Sequence, residues 1–398
     1  MKPFAFRDSA IRNLGVIDGE SYWTEPADLW TSRAPAKFKD RVPQTRKTTH
    51  GGALGGGETY WVIDGRLEIA RGTHAAFDKT GEKLAVAQGV NNLEDVAESA
   101  TNGAARVKLL DEQGIKAQIV YPEVAGLSGV HYVTQLADRE LELECIKIYN
   151  DAAAELQKES GNRLFPQGIL PARTEDAMKE IRRAREDLKL TGFTLSDDLA
   201  NVDLPDYGDP VWEPFWEYAN SASIPFNFRS GGNMVDTTRT VWPSYTAEEA
   251  GALFQATLSM TLGPTIGNFL YSGMYDRYPN LKMVTVGSGV GWLPFYLEIA
   301  DYQFYEMVAP EDQRIKRRPT EYFRSHWYVT FSSETSSVKS VRSFIPNDHM
   351  LFSTRFPHPT GLSDQSEPKV LEVLNALDEP ARRGVLRDNA LAVYQLPV

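Results

Sequence analysis

The chain has 398 residues, 42% of them hydrophobic and 24% charged, with a formal charge of −12. The negative surface this implies argues against nucleic acid as a partner, and the absence of any apolar run near 20 residues argues against a membrane-spanning helix. Cys145 is the sole cysteine, which excludes an intrachain disulfide.

Apolar runs bounded by turn residues alternate with helical patterns along the chain, as expected for parallel strands joined by crossover helices. Residues 15–20 read as the first strand. The stretch 33–100 departs from the alternation: a glycine run at 51–57 leads into alternating apolar residues and the pair Asp64-Gly65, a pattern for a loop and hairpin inserted after strand one. The glycine run lacks the Lys-Ser/Thr of a phosphate loop and precedes a strand. Residues 117–121 form the second predicted strand, followed by a long amphipathic helix over 138–160 that carries Cys145. Strand three is placed at 167–171, a helix capped by Thr174 at 175–190, and strand four at 192–196. An aromatic helix over 210–221 precedes strand five at 224–229. A helix at 247–262 behind Thr246 leads to strand six at 282–287, and a further helix at 292–305 to strand seven at 327–331. Strand eight spans 350–354, and a docking helix at 380–392 closes the chain. Eight strands are the number a closed α/β barrel needs. The expectation is therefore one (β/α)8 TIM barrel over 1–398, with 33–100 inserted after strand one.

Barrel enzymes place their chemistry at the C-terminal ends of the strands. Those ends carry Glu20 and Tyr22 on strand one, Arg229 on strand five, Gly287-Ser288-Gly289 on strand six and Arg355 on strand eight. Two guanidiniums in one cavity each need an anion, because an unpaired buried charge costs several kcal/mol. Glu20 can serve one of them; Glu123, after strand two, or a carboxylate ligand can serve the other. This constellation is either an internal salt-bridge plug or a carboxylate-binding pocket in which Tyr22 donates a hydrogen bond or a proton. Of the six histidines, His50, His74, His131, His326, His349 and His358, His326 opens strand seven at the end opposite the usual chemistry. No two stand at the i, i+4 spacing of a helical metal site.

Two segments, Ile17-Asp-Gly-Glu20-Ser-Tyr22-Trp-Thr-Glu-Pro26 and Leu351-Phe-Ser-Thr-Arg355-Phe-Pro-His358-Pro359, strongly resemble signatures of the metal-dependent amidohydrolase and decarboxylase family (amidohydrolase 2 type), which folds as an eight-stranded α/β barrel. Supporting segments include Leu164-Phe-Pro-Gln-Gly-Ile-Leu-Pro171 and Ser272-Gly-Met-Tyr-Asp-Arg-Tyr-Pro-Asn-Leu281, and the resemblance covers nearly the whole chain. It implies a metal held by an acid and a His two apart on strand one, a His closing strand five and an Asp opening the strand-eight loop. Those positions carry here Glu20, Tyr22, Arg229 and Arg355, and the acid that some members have on strand six is Gly287. Arg offers no lone pair to a cation, so no metal is expected at the family's usual centre. A displaced site using Glu20, His358 or a rim histidine stays open. The family's His at position 358 orders the strand-eight loop, and in a carboxylate pocket it would line the ligand beside Arg229 and Arg355.

The favoured functional expectation is a supporting, non-catalytic subunit of a hetero-oligomeric metal-dependent enzyme. The chain is similar in type to the metal-poor partner in two-component systems of the superfamily, such as 2-aminoisobutyrate hydroxylase, a monooxygenase whose other subunit carries a dinuclear metal site. The implied partner is a metal-binding paralogue, and 8 Trp, 17 Tyr and 18 Phe are enough to furnish an interface. The alternative is a metal-independent decarboxylase or hydrolase acting on a carboxylate held by Arg229 and Arg355, with Glu20 and Tyr22 transferring protons. A third expectation is a small-molecule binding barrel without chemistry. The N-terminal residues lack a signal peptide's apolar core, so a cytoplasmic location is expected.

Overall fold

A computed structural model describes residues 1–50, 57–65, 67–84, 89–123, 136, 138–197, 199, 203–230 and 242–397. The glycine run at 51–56 and His131 lie outside the described residues.

The β-branched and aromatic runs form strands in chain order. β1 is Val16–Trp23, and β2 (Gln44–Lys47), β3 (Thr59–Ile63) and β4 (Leu67–Arg71) follow it. Next come β5 (Ile115–Pro122), β6 (Leu164–Pro166), β7 (Gly168–Ile169), β8 (Phe193–Thr194), β9 (Pro225–Arg229), β10 (Lys282–Val286), β11 (Trp327–Phe331) and β12 (Met350–Phe352). β1, β5 and β6 pair in one parallel sheet, and β7 through β12 pair in sequence in another. β6 and β7 are two halves of one barrel strand, which passes from β5 to β8 at Gln167. The Gln167 N–H donates to the Val120 carbonyl (2.8 Å) and its side-chain oxygen accepts from Asn227 Nδ2 (2.9 Å). The predicted strand at 167–171 covers β7 and misses β6, whose Pro166 pairs opposite Val120; a residue without an N–H fits where a strand changes partner.

β1 and β12 meet at the remaining seam. The Arg355 N–H donates to the Glu20 carbonyl (2.9 Å) and the Tyr22 N–H to the Phe356 carbonyl (2.8 Å). Gly19 permits this approach: a Cβ there would lie 2.9 Å from Leu351 Cβ and 3.1 Å from the Phe352 carbonyl oxygen. β1 runs three residues beyond the predicted strand and carries Tyr22 in regular pairing opposite Tyr121.

Inside the barrel, Ile17, Ala117, Ile119, Tyr121, Val284 and Leu351 pack with Val393 and Tyr394 from the last helix. That helix closes the N-terminal end of the barrel. It is not one continuous element over 380–392: Glu379–Arg383 passes through one π turn, Gly384–Asp388, into Asn389–Tyr394. Tyr394 OH donates to Asn227 Oδ1 (2.7 Å) and lies 2.6 Å from Tyr121 OH, so a polar cluster sits within the plug.

A second apolar layer lies between the sheets and the surrounding helices. It includes Cys145, which sits on Arg139–Glu159; burial pushes its thiol upward, which opposes a nucleophilic role. Asp138 caps this helix through its side chain. The helix Thr174–Arg182 has Arg173 at its N-cap, not the predicted Thr174. Thr246 forms a capping box with Glu249 at the start of Ala247–Leu258. His326 ends the helix Pro319–His326, stacked on Tyr275 with centroids 4.1 Å apart and with Nδ1 2.9 Å from the Leu281 carbonyl.

Between β1 and β5, β2, β3 and β4 form an antiparallel sheet with a turn at Asp64 and Gly65. The chain then returns to the barrel mouth, where Ala75, Phe77 and Val90 pack with Phe356 of the loop after β12 and the Ala76 N–H donates to the Pro357 carbonyl (2.8 Å). Among the described residues no helix is long and apolar enough to cross a membrane.

Candidate functional site at the barrel mouth

The eight strand ends bring Glu20, Tyr22, Arg229 and Arg355 to one place, with His358 at its edge. Glu20 is fully buried. One of its oxygens accepts the Tyr22 hydroxyl, and the other accepts Thr330 Oγ1 from β11 at 2.6 Å. Arg355 Nε lies 3.3 Å from the oxygen that Tyr22 uses, but at an angle that leaves this N–H without a formed hydrogen bond. Burial, reinforced by the charge of Glu20, pushes the Tyr22 phenol well above its ordinary range, so Tyr22 is a donor and not a base. Gly287, with φ of 71°, leaves the room these groups occupy: a Cβ there would stand 3.4 Å from Tyr22 Oη and 3.5 Å from Glu20 Oε1.

Arg229 closes β9. Its Nη2 donates to Glu123 Oε1 (2.9 Å), and its Nη1 reaches the Pro122 and Glu123 carbonyls (3.3 Å each). Its guanidinium also lies over the Tyr22 ring, 4.4 Å from the centroid, a favourable cation–π placement. The sequence of contacts is thus Glu123, Arg229, Tyr22, Glu20, Arg355, with opposite charges on either side of an aromatic ring. Glu123 is fully buried, and burial acts to raise its carboxyl; the Arg229 charge, with the neighbouring His74, outweighs that and holds it at about 2. Its second oxygen has no hydrogen-bond partner among the described residues.

Arg355 is the less occupied cation. Its side chain is 15% exposed, and the guanidinium's one hydrogen bond among the described residues is a long one from Nη1 to Thr360 Oγ1 (3.4 Å). Its backbone is left-handed (φ 58°), a conformation that is costly for a residue with a side chain and that clusters at functional sites. His358 faces Tyr22 with centroids 5.4 Å apart. Its Nδ1 accepts the Thr360 N–H (3.2 Å) and contacts that residue's hydroxyl (2.8 Å), and burial pushes its imidazole down to about 3, so the ring is neutral.

Two participants escape a reading by strand ends. Thr330 lies within β11, where the run Trp-Tyr-Val-Thr-Phe signals only a strand. His74 lies in the segment between β1 and β5, and its ring meets that of His358 at 6.5 Å. A lone His beside Gly72 carries no periodicity that could have placed it there.

A family model described as amidohydrolase matches residues 63–396. The chain belongs to the amidohydrolase family. Among solved structures, an amidohydrolase from Mycobacterium avium subsp. paratuberculosis K-10 is similar at 20% identity with a TM-score of 0.73, over 95% of this chain and 98% of that one. The 2,6-dihydroxybenzoate decarboxylase from Rhizobium matches at 20% identity and a TM-score of 0.61, over 96% and 99%. A dihydroxybenzoic acid decarboxylase from Polaromonas sp. JS666, solved with manganese and the inhibitor 2-nitroresorcinol, matches at 22% identity and a TM-score of 0.57, over 75% and 88%. These likenesses establish the TIM-barrel fold. No curated relative matches the chain by sequence.

The donors at the mouth of this amidohydrolase do not fit a divalent ion. Among the described residues no group of three or more His, Cys, Asp or Glu is placed to hold one. Glu20 gives its oxygens to Tyr22 and Thr330, and Arg229 and Arg355 bring fixed positive charge to the same cavity.

Proposed function

We propose that this amidohydrolase-family barrel binds a small organic carboxylic acid at its mouth and acts on it without a metal, with decarboxylation as the favoured reaction and hydrolysis as the alternative. The observation behind this reading is Arg355, a buried guanidinium with donors to spare, held by left-handed backbone at the edge of the cavity. Planar Arg donors match a carboxylate in a bidentate fork. In this reading Arg355 binds the acid, Tyr22 spends its hydroxyl on Glu20 and so fixes that carboxylate beside Arg355, Arg229 keeps the cavity positive, and His358 lines the ligand. Loss of CO2 is favoured because several solved neighbours of similar fold are decarboxylases of aromatic acids.

Calorimetric titration with 2,6-dihydroxybenzoate, a CO2-release assay and elemental analysis of the purified chain test the reading together. Arg355→Met is expected to weaken binding at least about tenfold, roughly 1.4 kcal/mol, and to abolish CO2 release. The double variant Glu20→Gln/Arg355→Met keeps the cavity neutral and controls for folding. Unchanged binding and turnover in both variants would refute the proposal.

A second reading makes this chain the supporting subunit of a hetero-oligomeric enzyme, such as a two-component hydroxylase whose metal-binding paralogue carries a dinuclear site. One surface favours it. The helix Leu293–Met307 turns Phe295, Ile299, Tyr302 and Met307 to solvent, with Phe295 71% and Met307 80% exposed, and clustered apolar exposure of this kind marks interaction surfaces. Co-purification of a paralogue with an intact acid-x-His motif would support it; full activity of the chain alone would defeat it.

A further inference from the structure

The carboxylate reading leaves open which group supplies the proton that replaces CO2. Resting on that reading, we propose that His74 is this donor and that Glu123 positions it. His74 reaches the mouth on the segment between β1 and β5, and its Nδ1 lies 3.6 Å from Glu123 Oε1. Catalytic contacts are often this long before a ligand binds and tighten afterwards. Glu123 is fully buried, and its Oε1, the oxygen that faces His74, is held by Arg229. A carboxylate so fixed can hold an imidazole in one orientation.

The backbone supports the assignment independently. His74 is left-handed (φ 50°) and is held there from both sides. Thr73 Oγ1 accepts the Ala75 N–H (3.3 Å) and donates to the Val90 carbonyl (2.7 Å), while Gly89 approaches so closely that a Cβ there would sit 2.9 Å from the His74 nitrogen. Strain of this kind persists where surrounding structure over-determines it, and it concentrates at active sites.

The other titratable groups at the mouth suit the role less. Tyr22 is buried and committed to Glu20, and His358 spends Nδ1 on Thr360. His74 is one-third exposed (33%), so water can return a proton to it. In the step inferred, the bond between the substrate carbon and its carboxylate breaks, the electron pair stays on that carbon and CO2 leaves. The carbon takes the proton of the His74 imidazolium, and the neutral imidazole regains one from water.

The test uses the full chain with 2,6-dihydroxybenzoate, measuring binding by calorimetry and CO2 release at steady state. Asn tolerates left-handed backbone best among residues with a side chain, so His74→Asn preserves the local fold. Expected are binding within about threefold of the parent and turnover reduced about 100-fold or more, the scale of a lost general acid. Glu123→Gln should lower kcat while leaving KM unchanged, and Glu123→Asp should restore part of the loss. Turnover by His74→Asn close to the parent's, with Arg355→Met inactive, overturns the role of His74 and leaves the carboxylate reading standing. A parent that binds the acid but releases no CO2 also overturns it. A parent that does not bind the acid removes both.

Discussion

Glu20 receives two hydroxyl donors and a nearby guanidinium in a fully buried position, so both of its oxygens have partners inside the barrel. Tyr22→Phe removes one donor and leaves an oxygen facing Arg355 alone. The expected loss is about 1–3 kcal/mol of unfolding free energy in urea, and an unchanged midpoint would show that the hydroxyl contributes nothing. Glu123 gives a pH dependence whose sign is fixed. Its folded carboxyl lies near 2, below the ordinary 4.5, so the stabilisation it lends is present above about 4.5 and is lost as pH falls towards 2. Glu123→Gln should therefore flatten the acid limb of the stability curve between those values. An acid limb as steep as the parent's would place the sensitivity in other groups.

At the scale of elements, closure rests on the seam between β1 and β12 and on the plug formed by the last helix. Gly19→Val drives a branched side chain into Leu351 and the Phe352 carbonyl. It should cost at least about 3 kcal/mol, at or above the usual range for overpacking, and Gly19→Ala should cost less. Chemical denaturation of both variants checks the order. Tyr394→Ala empties the centre of the plug and leaves Asn227 Oδ1 with only the longer bond from the Tyr121 hydroxyl (3.3 Å). A loss of about 3–5 kcal/mol is expected, whereas Tyr394→Phe should lose about 1 kcal/mol. Equal stabilities for the two would mean that packing around Tyr394 matters little.

For the whole molecule, the mouth and the exposed aromatic helix pose separable questions. Phe295→Glu combined with Met307→Glu should abolish any association through Leu293–Met307 and leave carboxylate binding at the mouth unchanged. Sedimentation together with calorimetry decides this, and a variant that still associates moves the interface elsewhere. A net charge of −12 makes charge repulsion part of any self-association, so such association should strengthen with salt.

Sequence alone determined the barrel, because a parallel strand buried on both faces must read as a short apolar run, and eight such runs alternate here with helices. Motif spacing likewise brought Glu20, Tyr22, Arg229 and Arg355 to one end, since residues at the ends of parallel strands share a rim. Strand three was found only in its second half, because its change of partner at Gln167 depends on neighbours distant in sequence. His74, Thr330 and the pairing of Arg229 with Glu123 were decided by the tertiary structure. Each depends on where a loop or strand from elsewhere in the chain comes to rest, and side-chain periodicity records which face a residue takes, not what it meets across a cavity.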